Sequence, residues 1–332
     1  MKRKQLNRIR ACGFVFLACT VFVATPSVAS QDREWPTQPI RLIVPFGPGG
    51  GSDLVGRVLA QHLGEKLGQS VVVENRPGAG GSIGAAQVAR AAPDGYMLLL
   101  GSSSEVVQYP AVNPKVTYQA LRDFAPVSQV ATVPLVLAVN SNTGVDTVQE
   151  FVEFAKSNSA TANYGSAGVG SSTHLAMALL LLKLGVDMNH VPYKGSAAVV
   201  TDLLGGSLHA AMPTLSAILA YQQDDRLTLL AASTAEPHPL LPGKPGMAQA
   251  GVEDFDISLW TGILAPHGTP DVVVQTLNKT INEVLALPEV KQALEQQGAV
   301  ATGGEADQFR EAIERDSALW KDVVAEAGIT LK

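Results

Sequence analysis

The sequence predicts an α/β protein built from two lobes, each a mostly parallel sheet flanked by helices. The first half alternates buried strands, glycine-rich loops and helices, an order that produces parallel strands with helical crossovers. The second half repeats this order, and two long extended stretches, 127–140 and 257–266, connect the halves. We therefore expect residues 31–134 and 258–332 to form lobe 1 and residues 135–257 to form lobe 2. A ligand cleft should lie between them.

In the first half, short apolar runs predict strands, and apolar residues at three- and four-residue spacing predict helices. The strands are IRLIVP from Ile40, SVVVEN from Ser70 and YMLLLG from Tyr96. An amphipathic helix that ends near Gly68 separates the first two strands. A shorter alanine-rich helix through AAQVARAA precedes the third.

The second half is assigned by the same criteria. After the extended stretch, residues 147–157, THLAMALLLLKLG and GSAAVVTDLLGG predict helices. The segments ANYGS, MNHVPY, SLHAAMPT and RLTLLAAS predict strands between or after them. The strand ISLWTGILAP returns toward lobe 1. From Pro270 onward three helical patterns close the chain, and we expect them to pack on lobe 1.

Residues 1–30 predict a secretory signal peptide, with basic MKRKQLNRIR, apolar ACGFVFLACTVFVA and small-residue TPSVAS in order. The apolar run is short for a membrane span, so an N-terminal anchor is the less favoured alternative. A lipid attachment site at Cys19 fits poorly with the preceding VFLA. Cleavage after Ala29 or Ser30 would export the protein without Cys12 and Cys19, and therefore without a disulfide or a thiol nucleophile.

The predicted mature chain is acidic. Of the 24 lysines and arginines, five lie in the predicted signal peptide, which leaves 19 against 30 acidic residues and a net charge of −11. Such a charge disfavours nucleic acid as a partner. The six histidines have no spacing typical of a paired metal ligand, so we expect neither a metal nor another cofactor.

Three glycine-rich loops each follow a predicted strand and lead into a helix: FGPGGGSD (46–53), RPGAGGSIG (76–84) and GSAGVGSST (165–173). A helix N-terminus offers unpaired N–H groups and a partial positive charge, and glycine lets a ligand approach the backbone. These loops therefore favour an anionic ligand, carboxylate or phosphate. In the alternative, the glycines serve only tight turns and the serines only cap helices. Asp53 is interpreted most simply as favouring the helix start through the dipole.

Enzymatic interpretations have weaker support. Residues 80–84 match G-x-S-x-G, but a nucleophile elbow places its serine directly after a strand, and NRPGAG intervenes before Ser82. No loop has the G-x-G-x-x-G spacing or a Walker A lysine. We therefore predict no catalytic residue, and we interpret His174 as tying the third loop by a structural hydrogen bond. Trp260 could wall the cleft or lie in the core.

With these motifs in place, the chain resembles the Bug family, the extracytoplasmic substrate-binding receptors of tripartite tricarboxylate transporters. The resemblance covers nearly the whole predicted mature chain and rests on WPTQPIRLIVPFGPGGGSD, ENRPGAGGSIGAAQVARAAPDGYMLLLGSSS, YGSAGVGSSTHLA, VPYKGSAAVVTDLLGG and LWTGILAPHGTP. It implies a periplasmic binding protein of type II, the Venus-flytrap fold, whose lobes close on a small organic acid. Family ligands include di- and tricarboxylates, acidic amino acids and aromatic acids, delivered to membrane permease subunits. We expect a monomer.

The resemblance also implies two loops that grip a ligand carboxylate, 46–53 and 165–173, with other contacts near Ala79 and after the third strand. The ligand-binding residues expected on this basis are Phe46, Gly49, Gly50, Ser52, Asp53, Ala79, Gly80, Ser102, Ser103, Gly168, Gly170, Ser171, Ser172, Thr173, His174 and Pro213. Gly47-Pro48 and Met212-Pro213 depart from common family versions, which leaves the identity of the acid open. A secreted serine hydrolase using Ser82 and a sensing receptor of the same fold are the alternatives.

Overall fold

The computed structural model describes residues 35–331, which form two sheets flanked by helices. The predicted signal peptide, its cleavage site, Cys12 and Cys19 lie outside the described residues. Within residues 35–331 no helix is both long enough and apolar enough to cross a membrane.

The first sheet contains six strands in the order β11-β4-β10-β3-β1-β2. Their bounds are β1 (Ile40–Val44), β2 (Val71–Asn75), β3 (Met97–Ser102), β4 (Phe124–Pro134), β10 (Ser258–Pro266) and β11 (Val300–Ala301). Strand β1 is parallel to β2 and β3, whereas β10 is antiparallel to both β3 and β4, and β11 is antiparallel to β4. Four strands therefore run in one direction, and β10 and β11 oppose them.

The second sheet contains five strands in the order β7-β6-β8-β5-β9. Their bounds are β5 (Val136–Asn140), β6 (Asn163–Ser166), β7 (Asn189–Pro192), β8 (Ala210–Ala211) and β9 (Leu227–Ala232). Strand β6 is parallel to β7 and β8, and β5 is antiparallel to β8 and β9. The α/β prediction is confirmed, and both sheets are mixed. Strand β5 follows β4 after one residue, and β10 follows β9 through the non-helical segment 233–257. Neither strand is therefore preceded by a helical crossover that would restore the common direction.

The helices follow the predicted order. Their bounds are α1 (Gly51–Leu67), α2 (Ser82–Ala89), α3 (Tyr109–Val112), α4 (Ala120–Asp123), α5 (Val148–Ser157), α6 (Ser172–Leu184), α7 (Ser196–Leu204), α8 (Leu215–Ile218), α9 (Asp271–Leu285), α10 (Pro288–Glu295) and α11 (Ala306–Glu326). A π-helical turn, Ser104–Gln108, precedes α3, and 3₁₀ turns cover Ala79–Gly81, Ser141–Thr143 and Leu219–Tyr221. The sequence did not predict α3, α4, α8 or the π-helical turn, because each is too short to show helical periodicity.

Two helices show how local sequence sets the elements. Helix α5 begins at a capping box, in which the Thr147 hydroxyl accepts from the Glu150 N–H and the Glu150 carboxylate accepts from the Thr147 N–H. Helix α6 is apolar on every face and is buried from Ser172 to Leu181, because it packs between β6 and α11. The predicted lobe boundaries stay a prediction, although the strands on either side of Leu135 belong to different sheets.

Three crossing segments meet at one buried serine. Ser233, which follows β9, accepts a hydrogen bond on Oγ from the Leu135 N–H at 2.8 Å and donates from Oγ to the Ile257 carbonyl at 2.5 Å. Its backbone N–H donates to the Leu135 carbonyl, and its carbonyl accepts from the Ile257 N–H. Ser233 therefore ties together the points where the chain passes between the sheets.

Replacing this serine tests the junction. Ser233→Ala removes two hydrogen bonds at a fully buried position and leaves a buried N–H and a buried carbonyl without these partners. We expect the free energy of unfolding to fall by about 1–3 kcal/mol, measured by urea denaturation. Ser207→Ala, at an exposed serine, should change it by less than about 0.5 kcal/mol. Equal stability of the two variants would contradict a structural role for Ser233.

Candidate functional site

A cleft of about 310 Å³ lies where the N-terminus of α1, the residues after β3 and the residues after β8 meet. It is lined by Gly51, Ser52, Val55, Ser102, Ser103, Ser104, Ala131, Val133, Thr214, Ser216, Leu259, Trp260, Thr261, Gln297 and Ala299. Among the described residues that line it, none carries a formal charge. Two larger hollows, of about 790 and 510 Å³, are lined mainly by α9 and the start of α11 and contain no residue of the three glycine loops. The cleft is therefore the candidate site.

The first glycine loop is held behind the cleft by Asp53. Its carboxylate accepts from the Gly49 N–H at 2.9 Å, from the Arg57 side chain at 3.0 Å and from the Asn75 amide at 3.0 Å. The same Asn75 amide donates to the Phe46 carbonyl. The hydrogen bond from Arg57, followed by that from Gly49, lowers the pKa of Asp53 to about 2. The buried carboxylate is thus directed at its own loop, and this goes beyond the dipole effect expected from the sequence.

The second glycine loop packs against the helical segment that follows β3. A Cβ atom added at Gly81 would lie 3.0 Å from the Glu105 Cβ, and one added at Gly80 would lie 3.0 Å from the Tyr109 ring. Both glycines have positive φ, at 90° and 63°. At these two positions glycine is required by backbone conformation and close packing. Ser82 begins α2 after a 3₁₀ turn and does not directly follow β2, so it does not have the position of an elbow nucleophile.

The third glycine loop follows β6 of the second sheet but contacts the segment after β3 of the first sheet. A Cβ atom added at Gly170 would lie 2.9 Å from Val112 Cγ2, and the Ser172 hydroxyl donates to the Gln108 side-chain carbonyl. The Ser171 hydroxyl accepts from the His174 N–H and caps α6. The Thr173 hydroxyl accepts from the Ala167 N–H. The fourth hydroxyl of this loop, that of Ser166, donates to the Gly168 carbonyl, so all four hydroxyls have partners within the protein.

Two stacked histidines support this loop. His174 Nδ1 accepts from the Gly170 N–H at 3.0 Å, as the structural interpretation of His174 expected. The His174 and His190 ring centroids lie 3.8 Å apart with the planes 8° from parallel, and His190 Nε2 lies 2.6 Å from Ser166 Oγ. Burial, and then the neighbouring His190, lower the pKa of His174 to about 4, and burial also lowers the pKa of His190. The loop is thus built on two neutral imidazoles.

Polar groups after β3 are directed inward as well as into the cleft. The Ser102 N–H and hydroxyl both donate to the carboxylate of Glu105, which is completely buried. Burial raises the pKa of Glu105 to about 7, against the opposing effect of the Ser102 hydrogen bonds. Ser103 Oγ and Gln108 Nε2 are buried without a hydrogen-bond partner in the described part of the chain. Such groups are uncommon in folded proteins and mark places where a ligand or water can bind.

The structure brings only some of the expected residues to the cleft. Ser52, Ser102 and Ser103 line it, and Pro213 directly precedes the lining residue Thr214. The other expected residues do not line it: Phe46, Gly49, Gly50, Asp53, Ala79, Gly80, Gly168, Gly170, Ser171, Ser172, Thr173 and His174. Direct contact of any of these residues with a ligand stays a prediction.

Several residues that line the cleft were not predicted from the sequence, whereas Trp260 was predicted to wall the cleft or lie in the core. Thr214, Ser216, Thr261 and Gln297 carry no local motif, because distant segments of the chain bring them to the cleft. Trp260 lines the cleft while its indole N–H donates to Asp316. The burial of Glu105 was not predictable from the sequence either, because a single acidic residue next to two valines is also typical of an exposed position on a helix.

The chain is similar to known proteins over most of its length. Residues 55–329 match the model of the family described as TctC, tripartite tricarboxylate transporter family receptor. Protein BugT of Bordetella pertussis is 38% identical over 315 residues, which cover 94% of this chain and 97% of BugT.

Solved structures are also similar to this chain. One described as the structure of a periplasmic transporter is 36% identical, with a TM-score of 0.76, and the match covers 90% of this chain and 100% of that one. Rpa4515 of R. palustris, solved with adipate, is 34% identical with a TM-score of 0.76, over 89% of this chain and 99% of that one.

The histidine pair predicts an acid-sensitive fold. Because the pKa of His174 is lower in the folded protein than its usual 6.5, the unfolded chain binds more protons between pH 6.5 and about 4. Stability should therefore fall as pH falls through this window. His174→Asn keeps an acceptor for the Gly170 N–H but cannot titrate, so denaturant unfolding should show a flatter pH dependence. His267→Asn, at an exposed histidine, should follow the wild type. A His174→Asn curve parallel to the wild type would exclude His174 as a source.

Proposed function

The chain belongs to the tripartite tricarboxylate transporter receptor family, a family of solute-binding proteins and not of enzymes, and we propose that it captures a small dicarboxylate in its cleft. The observation that carries the proposal is the chemistry of that cleft. Its polar lining consists of hydroxyl groups, one amide and a helix N-terminus, with no charged side chain.

One carboxylate fits the N-terminus of α1. Gly51 and Ser52, the first two residues of this 17-residue helix, line the cleft, and the N-cap Gly50 has no side chain to occupy the free N–H groups. A helix of this length carries a partial positive charge at that end, which stabilises an anion. The hydroxyls of Ser52 and Ser103 can add donors, and Ser103 Oγ has no partner among the described residues.

Part of the cleft wall is apolar. Val55, Val133, Leu259 and Trp260 supply this surface, and Thr214 and Ser216 add hydroxyl groups from the segment after β8. Methylene groups suit such walls, and a second carboxylate suits the hydroxyls. The adipate in Rpa4515, a linear six-carbon diacid, supports this arrangement. We therefore favour a dicarboxylate with a short aliphatic chain.

Capture would involve both lobes. Gly51, Ser52 and Ser103 extend from the first sheet, and Thr214 and Ser216 follow β8 of the second. A ligand that bonds to both sides favours the closed arrangement over the open one, because only the closed arrangement satisfies both ends. Neutral donors need accurate placement, and ordered water can complete the contacts.

We infer that the protein works in the periplasm and docks on membrane subunits of a tripartite transporter. The predicted export signal supports the compartment, and the similar structure described as a periplasmic transporter agrees with it. Delivery to membrane subunits follows from the family's description as a transporter receptor.

A ligand screen tests the proposal. The protein lacking residues 1–30 is heated with adipate, malate, citrate, glutamate, benzoate or, as an uncharged control, glucose. We expect a dicarboxylate to raise the melting temperature in a concentration-dependent way, since a ligand at 100 times its Kd adds about 2.7 kcal/mol of stability. Stabilisation by glucose alone would contradict the proposal.

Ser103 gives a sharper test of the site. Ser103→Ala removes a buried hydroxyl that has no partner within residues 35–331, so the stability of the ligand-free protein should stay the same or rise slightly. Affinity for the dicarboxylate, measured by calorimetry, should fall by about fivefold to tenfold because one hydrogen bond is lost. Ser207→Ala should change neither quantity. An unchanged affinity in Ser103→Ala would place the ligand elsewhere.

A further inference from the structure

Glu105 is a buried acid that the proposed carboxylate contacts do not use. It lies in the π-helical turn Ser104–Gln108, has no exposed surface, and is bonded to Ser102, which lines the cleft. One side chain therefore separates a buried carboxylate from the space where an organic anion would bind.

The hydrogen bonds between Glu105 and Ser102 restrict where a proton can lie. Glu105 Oε1 accepts from the Ser102 N–H, which is always a donor, so Oε1 carries no proton. Glu105 Oε2 lies 2.5 Å from Ser102 Oγ. When Glu105 is ionised, the Ser102 hydroxyl donates to Oε2 and presents only lone pairs to the cleft. When Oε2 carries a proton, it donates to Ser102, and the Ser102 hydroxyl is released to donate elsewhere.

No cation balances the Glu105 charge among the described residues. The elements packed against its turn are β3, the Ala79–Gly81 turn, α2, α3 and α11. The first three contain no acidic or basic residue, and α3 contributes Tyr109. The Tyr118 hydroxyl donates to the Glu105 backbone carbonyl.

The remaining element, α11, presents apolar residues to this core. Phe309, Ile313 and Trp320 of α11 belong to the same cluster as Val106 and Val107. Its half-buried acid Asp316 accepts from the Trp260 indole, and its partial burial raises the pKa of Asp316. The surroundings of Glu105 therefore offer hydroxyl groups and apolar surface but no positive charge, and they penalise the ionised form.

We propose that Glu105 takes up one proton from solvent when the cleft binds an organic anion, and that this proton converts Ser102 from an acceptor into a donor to the anion. This inference rests on the proposed function, because it requires an anionic ligand beside Ser102. Glu105 acts as a positioning residue, since it works through Ser102 and does not itself touch the ligand.

The physical basis is that an ionised Glu105 disfavours the binding of an anion in two ways. Its charge repels the ligand in a medium of low dielectric constant, and it orients the Ser102 lone pairs toward the ligand oxygen. One proton removes both effects. The pKa of Glu105, raised to about 7, means that both forms are populated near neutral pH, so a bound anion can readily shift the balance.

The proton can travel through Ser102 itself. A hydronium ion that enters the cleft gives its proton to the Ser102 hydroxyl and becomes water, while the hydroxyl passes its own proton to Glu105 Oε2. The reverse transfer returns the proton to solvent when the ligand leaves. Ser102 Oγ carries one proton before and after the transfer. Only the acceptor of its hydrogen bond changes, from Glu105 Oε2 to the ligand, and no oxidant or reductant is involved.

The experiment uses residues 31–332 of the protein. The ligand is the dicarboxylate that the ligand screen selects, or adipate if several dicarboxylates bind. Calorimetry in two buffers of different ionisation enthalpy counts the protons taken up per ligand. We expect an uptake of about 0.5–0.75 proton near pH 7.5, because a group with a pKa of about 7 is already partly protonated there, and an affinity that weakens about tenfold between about pH 6.5 and 8.5. The ¹³C carboxyl signal of Glu105, followed by NMR, should titrate at a higher pH with ligand than without it.

Glu105→Gln provides the decisive variant. Its amide can accept from the Ser102 N–H and donate to Ser102 Oγ, as the protonated acid does, so it fixes Ser102 as a donor. This variant should bind with no proton uptake and about tenfold more tightly than wild type near pH 8.5, with similar affinity near pH 6.5. The wild type and Glu105→Gln are compared at the same pH, so ionisation of the ligand affects both affinities equally. Glu74→Gln is the matched control, because Arg41 and then Arg76 lower the pKa of Glu74 to about 2, outside this range.

The possible results separate this inference from the proposed function. If no acid binds at any pH, the proposed function fails. If an acid binds without proton uptake and with the same pH dependence in wild type and Glu105→Gln, the proposed function stands and the role of Glu105 is wrong. Should Glu105→Gln fail to fold, proton counting and the NMR titration on the wild-type protein still decide the question.

Discussion

The arrangement of the glycine loops depends on the helical segment after β3, residues 104–112, because two of the loops pack against it. Gly80 and Gly81 of the second loop approach Tyr109 and Glu105 so closely that a Cβ atom added at each would lie 3.0 Å from its neighbour. Gly170 of the third loop approaches Val112 in the same way. Because two of the three loops meet one segment, the positions of strands in both sheets and the floor of the cleft are coupled through it.

The two sheets also share a hydrophobic core, which limits how their lobes can move. Phe124 of β4, the buried face of α6 and Trp320 of α11 belong to one cluster of buried residues. Helix α11 packs on β4 of the first sheet and on α6, which follows β6 of the second. The buried tie at Ser233 lies on the crossing segments between the sheets. Opening of the cleft therefore has to preserve this core or expose apolar surface, and the second option is costly.

Local sequence was sufficient for the α/β class, the order of the main strands and helices, and the family. Strands such as IRLIVP and the capping box at Thr147 depend on neighbours a few residues away, so periodicity and capping residues identify them. Ser52 was also within reach, because helix starts at the carboxyl edge of a sheet predict where a ligand binds, and the family resemblance implied Ser102 and Ser103. The glycine pattern itself was compatible with two roles, close approach of a ligand or close packing.

Tertiary structure decided between these roles. At Gly80, Gly81 and Gly170 the close neighbour is the protein's own segment 104–112, which the sequence did not predict as helical. The antiparallel entry of β5 and β10, the contribution of Thr214 and Gln297 to the cleft, and the burial of Glu105 behind Ser102 follow from the same cause. Each depends on segments that are far apart in the chain and close in space, and a pattern read along the chain carries no information about such neighbours.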